Sequence, residues 1–194
     1  ITSYSYWVYL KFMSVQINYK IGSFQKKSSN IVLFVDENFN IAGLKKFISN
    51  ADYSFLSDLL TINDKKKEII SFVINSKKKI VLVSIKKKLT SSQAENLGAK
   101  FYDIFKDIKH NHYDIFSESA KNTLDNFIGY FLHGLKLKSY TFDKYKTKKE
   151  KKNISINILG KNIPSAKDQL KFKAIEDGAF YARDLVSEPG NILQ

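Results

Sequence analysis

The run Ile31-Val32-Leu33-Phe34-Val35, closed by Asp36-Glu37-Asn38, decides the fold class. A continuous apolar run of strand length, ended by turn-forming residues, suits a strand covered on both faces. Upstream the pattern differs: Val15, Ile17, Tyr19 and Ile21 alternate with polar residues, as a half-buried strand does. Downstream come two more apolar runs, Ile69 to Ile74 and Ile80 to Ile85. Asn75-Ser76-Lys77-Lys78-Lys79 joins them and reads as a hairpin connection or short loop. Ile154, Ile156 and Ile158 alternate as another strand, and a short strand is expected at about 112–116.

Helices fall between these strands. Residues 41–50 read as a short one. Thr90 and Gln93 have the spacing of a capping box, each satisfying a free backbone donor at a helix start. Ala94, Leu97, Phe101, Ile104, Phe105 and Ile108 then recur at helical spacing. A second long helix is expected from Ser119 to Leu137, with Ala120, Leu124, Phe127, Ile128, Phe131 and Leu135 on its apolar side. Gly129 and Gly134 lie within it, each costing ~1 kcal/mol against alanine unless close packing needs them. Pro164 and Ser165 introduce a last helix, with Ser165 and Asp168 as a second capping box. Leu170, Ile175, Ala179, Ala182 and Val186 fall roughly along its inner face.

Strands interleaved with long amphipathic helices give an α/β fold, a three-layer mixed sheet flanked by helices. The alternation ends near Gly160. A lone helix after a completed sheet has nothing of its own to bury against, so residues 161–194 are expected to be a linker and the first helix of a second domain. Residues 13–160 form the first domain. Residues 1–12 precede the sole methionine, Met13, and lack the marks of a signal peptide. Met13 is therefore expected to be the natural start and residues 1–12 an upstream extension.

Composition narrows the function classes. The chain has 194 residues, 32 basic against 19 acidic, and a formal charge of +13. It has no cysteine, so neither a disulfide framework nor a thiolate zinc site is available. At 43% hydrophobic and 14% aromatic it is too apolar for a disordered polycation. No run of about 18 uncharged apolar residues occurs, so no membrane span is expected. Arg183 is the only arginine. Nucleic-acid readers lean on arginine for its planar fork. The excess of lysine, isoleucine and asparagine is better read as codon bias on a solvated surface.

Chemistry-bearing groups are sparse. His110, His112 and Asp114 would share one face of a strand and offer a metal up to three ligands. With no fourth ligand evident, polar residues at a helix-to-strand junction are the preferred reading. His133 stands alone on a helix and reads as packed or solvated. There is no GxxxxGK, GxGxxG or GxSxG motif, and the carboxylates are scattered singly. Lysine triplets stand at 65–67, 77–79 and 86–88. A longer basic run with an interleaved tyrosine extends from Lys144 to Lys152. Such runs can bind nucleic-acid backbones, but an exposed linker is the simpler reading.

Two segments resemble a known family. Glu176-Asp177-Gly178-Ala179-Phe180-Tyr181-Ala182-Arg183-Asp184-Leu185-Val186-Ser187-Glu188-Pro189-Gly190-Asn191 resembles the ARDLVNEPGN stretch of the leucyl aminopeptidase family, the cytosolic two-metal aminopeptidases. Tyr140-Thr141-Phe142-Asp143-Lys144-Tyr145-Lys146-Thr147-Lys148-Lys149 resembles the YxFDxYKTKK segment that closes that family's N-terminal domain. Ser187 departs from the usual asparagine. The resemblance covers about Met13 to Gln194. It implies a macro-domain-like N-terminal domain without peptide chemistry, followed by a catalytic domain. That second domain would bind two divalent metals, manganese or zinc, through a lysine and several carboxylates, some in an Asn-Thr-Asp-Ala-Glu-Gly-Arg stretch. None of these ligands is in this sequence, so no catalytic, cofactor-binding or metal residue carries over to it. The resemblance further implies a cytoplasmic homo-hexamer acting on peptides. Alternatively the basic domain is a nucleic-acid-binding module or an element that orients subunits. Arg183 and Asp184 match the motif as structural residues. Asp184 sits unfavourably near a helix C-terminus and is expected to find a specific partner, Arg183 or a loop amide.

Overall fold

The computed structural model describes residues 15–20, 30–63, 67–108, 112–121, 123–147 and 154–190. The expected start at Met13, the extension at 1–12, and Ile21, Lys65, Lys66, His110 and residues 148–152 lie outside them. The strands are Val15–Lys20 (β1), Asn30–Asp36 (β2), Ile69–Asn75 (β3), Lys78–Ile85 (β4), His112–Phe116 (β5) and Ile154–Leu159 (β6). The α-helices are Asn50–Ile62 (α1), Ser91–Phe105 (α2), Phe127–Lys138 (α3) and Ala166–Ser187 (α4). The strands form one six-stranded sheet in the order β1-β6-β5-β2-β4-β3. Among the described strands the β3–β4 hairpin is antiparallel and the other pairs are parallel.

The run at 31–35 is the sheet's covered centre, with Ile31 to Phe34 each 1% exposed or less. Val32 and Phe34 face α2 and α3, where Phe34 meets Phe127 edge-on at 5.1 Å. Ile31, Leu33 and Val35 face the other layer, built from α1 and residues 39–48. The helices lie on both sides of the sheet, as the continuous apolar run requires.

Four local readings need correction. The helix expected at 41–50 is a single 3-10 turn, Ala42–Leu44, and α1 begins at Asn50. The Asp36 carboxylate accepts from the amides of Asn38 and Asn40, and Asn40 Oδ1 accepts from the Ala42 amide. Side chains thus replace helical partners, while Leu44, Phe47 and Ile48 are still buried. The helix expected from Ser119 starts only at Phe127. Ser119 Oγ accepts from the Phe34 amide at 2.9 Å and donates to the Phe116 carbonyl at 2.6 Å, and Asn126 sits at φ 57°. Ile104 faces solvent, although the rest of the apolar stripe on α2 is buried or half-buried. On α4 the expected inner face is largely outside: Leu170 is 69% and Val186 88% exposed, while Phe172 and Glu176 are buried.

The capping box at Thr90 and Gln93 is present in both directions. At Ser165 the reciprocity differs: Oγ accepts from the Asp168 amide and donates to the Asp168 carboxylate at 2.6 Å. Ser49 and Asp52 repeat that arrangement at α1. Close packing does claim the helix glycines. A Cβ on Gly134 would lie 1.9 Å from the Glu95 carbonyl oxygen, and one on Gly98 1.8 Å from that of Phe131. Backbone meets backbone where α2 crosses α3.

Candidate functional site

Alternation along the strands sorts polar groups onto one half-face of the sheet. Ile154, Ile156 and Ile158 point into the core beneath α2 and α3. Ser155 and Asn157 therefore point the other way, and the parallel register sets them beside His112 and Asp114. Asn157 Nδ2 donates to Asp114 Oδ1 at 2.8 Å and stands 2.9 Å from His112 Nε2. His112 Nε2 is 3.4 Å from Asp114 Oδ1, and Nδ1 is 3.1 Å from Ser155 Oγ. Asn18 Nδ2 on β1 donates to Asn157 Oδ1 at 3.3 Å.

The tautomer protonated on Nδ1 suits this placement, with Nε2 accepting from the Asn157 amide and Nδ1 facing Ser155 Oγ. Sequence reasoning placed His112 and Asp114 on one face but missed Ser155, Asn157 and Asn18. The alternation at 154–158 was the available signal.

A second polar cluster joins α3 to α4. Glu176, 1% exposed, accepts from or pairs with His133 Nδ1 at 2.9 Å, and Lys136 Nζ stands 3.1 Å from its other oxygen. The ammonium lies off the hydrogen-bonding direction of that oxygen, so this contact is an ion pair. His133 also stacks on Phe172 at 4.9 Å. It is packed, as one of the readings of the lone histidine allows. The cluster borders an open cleft of about 720 Å³ between β1, α3 and α4. Tyr19 lines it, its hydroxyl pKa pushed up to about 12 by burial and by the Glu176 charge. It therefore stays a neutral phenol, and the acid is already matched by bases. The cluster ties α3 to α4.

The two family-like segments close on each other. Tyr140 donates to Asp184 Oδ1 at 2.7 Å, and its ring lies 5.5 Å from that of Phe180. Arg183 donates to the Leu137 carbonyl at 2.6 Å and covers the Tyr140 ring. Lys144 and Tyr145 both donate to the Glu188 carboxylate. Asp184 thus has its specific partner, but that partner is Tyr140, not Arg183 or a loop amide. The side chain lay 44 residues away in the sequence, beyond the reach of local reasoning.

Part of the lysine excess is neutralised in place. Lys86 and Lys100 flank Glu68, and Lys106 and Lys138 flank Asp103. Among the described residues no three of His, Cys, Asp and Glu converge as metal ligands. No described helix is long and apolar enough to cross a membrane.

No family model matches the chain. Over 75 residues, 35% of the chain, it is 40% identical to "Probable cytosol aminopeptidase" of Clostridium perfringens, covering 15% of that protein. An alignment of 184 residues, 85% of the chain, is 26% identical to the protein of the same name from Rickettsia canadensis and covers 36% of it. In structure, a tomato leucine aminopeptidase mutant superposes with a TM-score of 0.69 at 17% identity, over 92% of this chain and 39% of that one. The bottromycin maturation enzyme BotP superposes at 0.59 and 11% identity, over 86% and 34%. These two likenesses show a shared fold. The chain spans 15% of the Clostridium protein's length and little more than a third of the Rickettsia protein's.

Proposed function

We propose that this chain, which resembles the leucyl aminopeptidase family in sequence and in fold, is the N-terminal part of a metal-dependent enzyme that releases N-terminal residues from peptides. One observation supports this reading above the others. The segments that resemble the family, around Tyr140 and around Arg183, form one contact through Tyr140, Asp184, Lys144, Tyr145 and Glu188. A motif whose residues hold each other is a structural signature, consistent with its carrying no chemistry of its own.

In this reading the pair of manganese or zinc ions is held by a lysine and carboxylates that follow Gln194. The described residues do not fit such a pair, since no three of His, Cys, Asp and Glu converge. No catalytic step is assigned to them. Their work is to position: α4 leaves the N-terminal sheet anchored at Phe172 and Glu176, and its exposed Leu170, Ile175, Tyr181, Leu185 and Val186 supply a surface for the catalytic domain. The cytoplasmic setting is supported by the relatives' name, cytosol aminopeptidase. A homo-hexamer is part of the same proposal.

The reading frame beyond Gln194 tests it. It should encode the lysine and carboxylate ligands, and the purified product should bind two ions per chain and migrate as a hexamer. A frame without those ligands would remove the enzyme assignment.

A further inference from the structure

We propose that His112, Asp114 and Asn157 form a binding site for a divalent first-row transition ion, zinc foremost, on the open polar face of β5 and β6. Three polar atoms stand together on this face. The Asn157 amide atom is 2.9 Å from His112 Nε2 and 2.8 Å from Asp114 Oδ1, and these two are 3.4 Å apart. Ligand atoms bound about 2.0–2.2 Å from one zinc ion stand roughly 2.8–3.6 Å from each other at octahedral to tetrahedral angles. The triangle has the size of one face of a coordination shell.

The histidine is already prepared to ligate. Ser155 Oγ stands 3.1 Å from Nδ1 and can take its proton, which leaves Nε2 free to ligate. Metal-binding histidines are held by such an outer hydrogen bond. The Asn157 amide nitrogen occupies the third corner when no ion is bound, because an amide oxygen beside the Asp114 carboxylate would be repelled. A cation reverses that preference. The amide turns over to present Oδ1, and Asn18 keeps its hydrogen bond to Asn157 by turning its own amide in concert.

Access and rigidity both suit an ion. The His112 side chain is 50% exposed and that of Asp114 13%, so the site opens to solvent on one side. Asp114 and Asn157 are register partners on adjacent strands, which fixes their spacing. Asn30 Nδ2 donates to the His112 carbonyl at 3.0 Å and pins the first residue of β5. One imidazole and two oxygen donors suit zinc, cobalt or nickel better than calcium, and water completes the shell.

The site belongs to this chain whether or not a longer protein is a peptidase, so it is tested on the 194-residue chain. Calorimetric titration with Zn²⁺ should show one saturable site, and Co²⁺ should give a ligand-field absorption band. His112→Gln and Asp114→Asn, which keep side-chain size, should each weaken Zn²⁺ binding at least about tenfold, and Ser155→Ala about tenfold through loss of the outer hydrogen bond. His110→Asn should leave affinity unchanged. Circular dichroism checks that each variant is folded. The nitrogen NMR shift of His112 Nε2 on Zn²⁺ addition reads the same ligation without any substitution. The proposal is overturned by an absence of saturable uptake, by uptake indifferent to His112→Gln and Asp114→Asn, by its loss in His110→Asn, or by an unmoved Nε2 resonance.

Discussion

Glu176 is a buried carboxylate that contacts His133 Nδ1 at 2.9 Å and pairs with Lys136 at 3.1 Å on another helix. Removing one member of such a cluster leaves the others buried without a counter-charge. Glu176→Ala should therefore cost about 3–5 kcal/mol in urea unfolding, and a loss below about 1 kcal/mol would mean that solvent already screens the cluster. Tyr113 poses the opposite case. Its hydroxyl is buried without a hydrogen-bond partner among the described residues, and burial pushes its pKa up to about 12. Tyr113→Phe removes an unpaired dipole and keeps the ring packing, so unfolding should show unchanged or higher stability. A clear loss would reveal a partner for the hydroxyl. Neither role was legible in the sequence, where Glu176 reads as one motif letter and Tyr113 as one strand position. Both depend on partners that only folding brings near.

Elements were more legible than their side chains. The capping box at Thr90 and the apolar spacing of α2 define that helix locally. The strand at 112–116 matches β5 residue for residue. What failed were segments where side chains capture backbone amides, at Asp36 and Asn40 and at Ser119, since periodicity carries no trace of that competition. The glycine crossing of α2 and α3 yields a paired prediction. Gly98→Ala forces a Cβ within 1.8 Å of a backbone oxygen, whereas Gly178 has nothing within 4 Å of the same added atom. The first substitution should cost about 3 kcal/mol or more by overpacking, and the second should gain up to about 1 kcal/mol from helix propensity. Equal effects in thermal unfolding would contradict the packing described.

Asp52 ties α1 to the start of β4 through Lys78 at 2.6 Å. Burial alone would raise its pKa, but Lys78 and Ser49 outweigh that and hold it below the ordinary 3.8. The folded value is thus lower than the unfolded one. The stabilisation is fully present above the unfolded pKa and is lost as pH falls through the folded pKa. Asp52→Asn should be less stable than the parent chain near neutrality, by about 1.5–3 kcal/mol. The difference should close once pH falls below the folded pKa, which lies under the ordinary 3.8. A gap that is constant with pH would remove the ionic explanation.

Over the whole molecule, the sequence order of strands and helices foretold a three-layer sheet, and the sheet is there. The last helix divides its loyalties: Phe172 and Glu176 face the sheet domain, while its more numerous large apolar residues face outward. Local periodicity could not tell which stripe was which, because α4 carries apolar residues on both. That outward stripe and the mutual grip of the Tyr140 and Arg183 segments are why this chain is read as a positioning unit of a longer aminopeptidase. The direct measurement is hydrolysis of leucine p-nitroanilide with Mn²⁺, by this chain and by the protein encoded through the full reading frame. Turnover is expected from the longer protein and none above background from these 194 residues. Comparable kcat/KM from the 194-residue chain, or an inactive full-length protein with its metals bound, would contradict it.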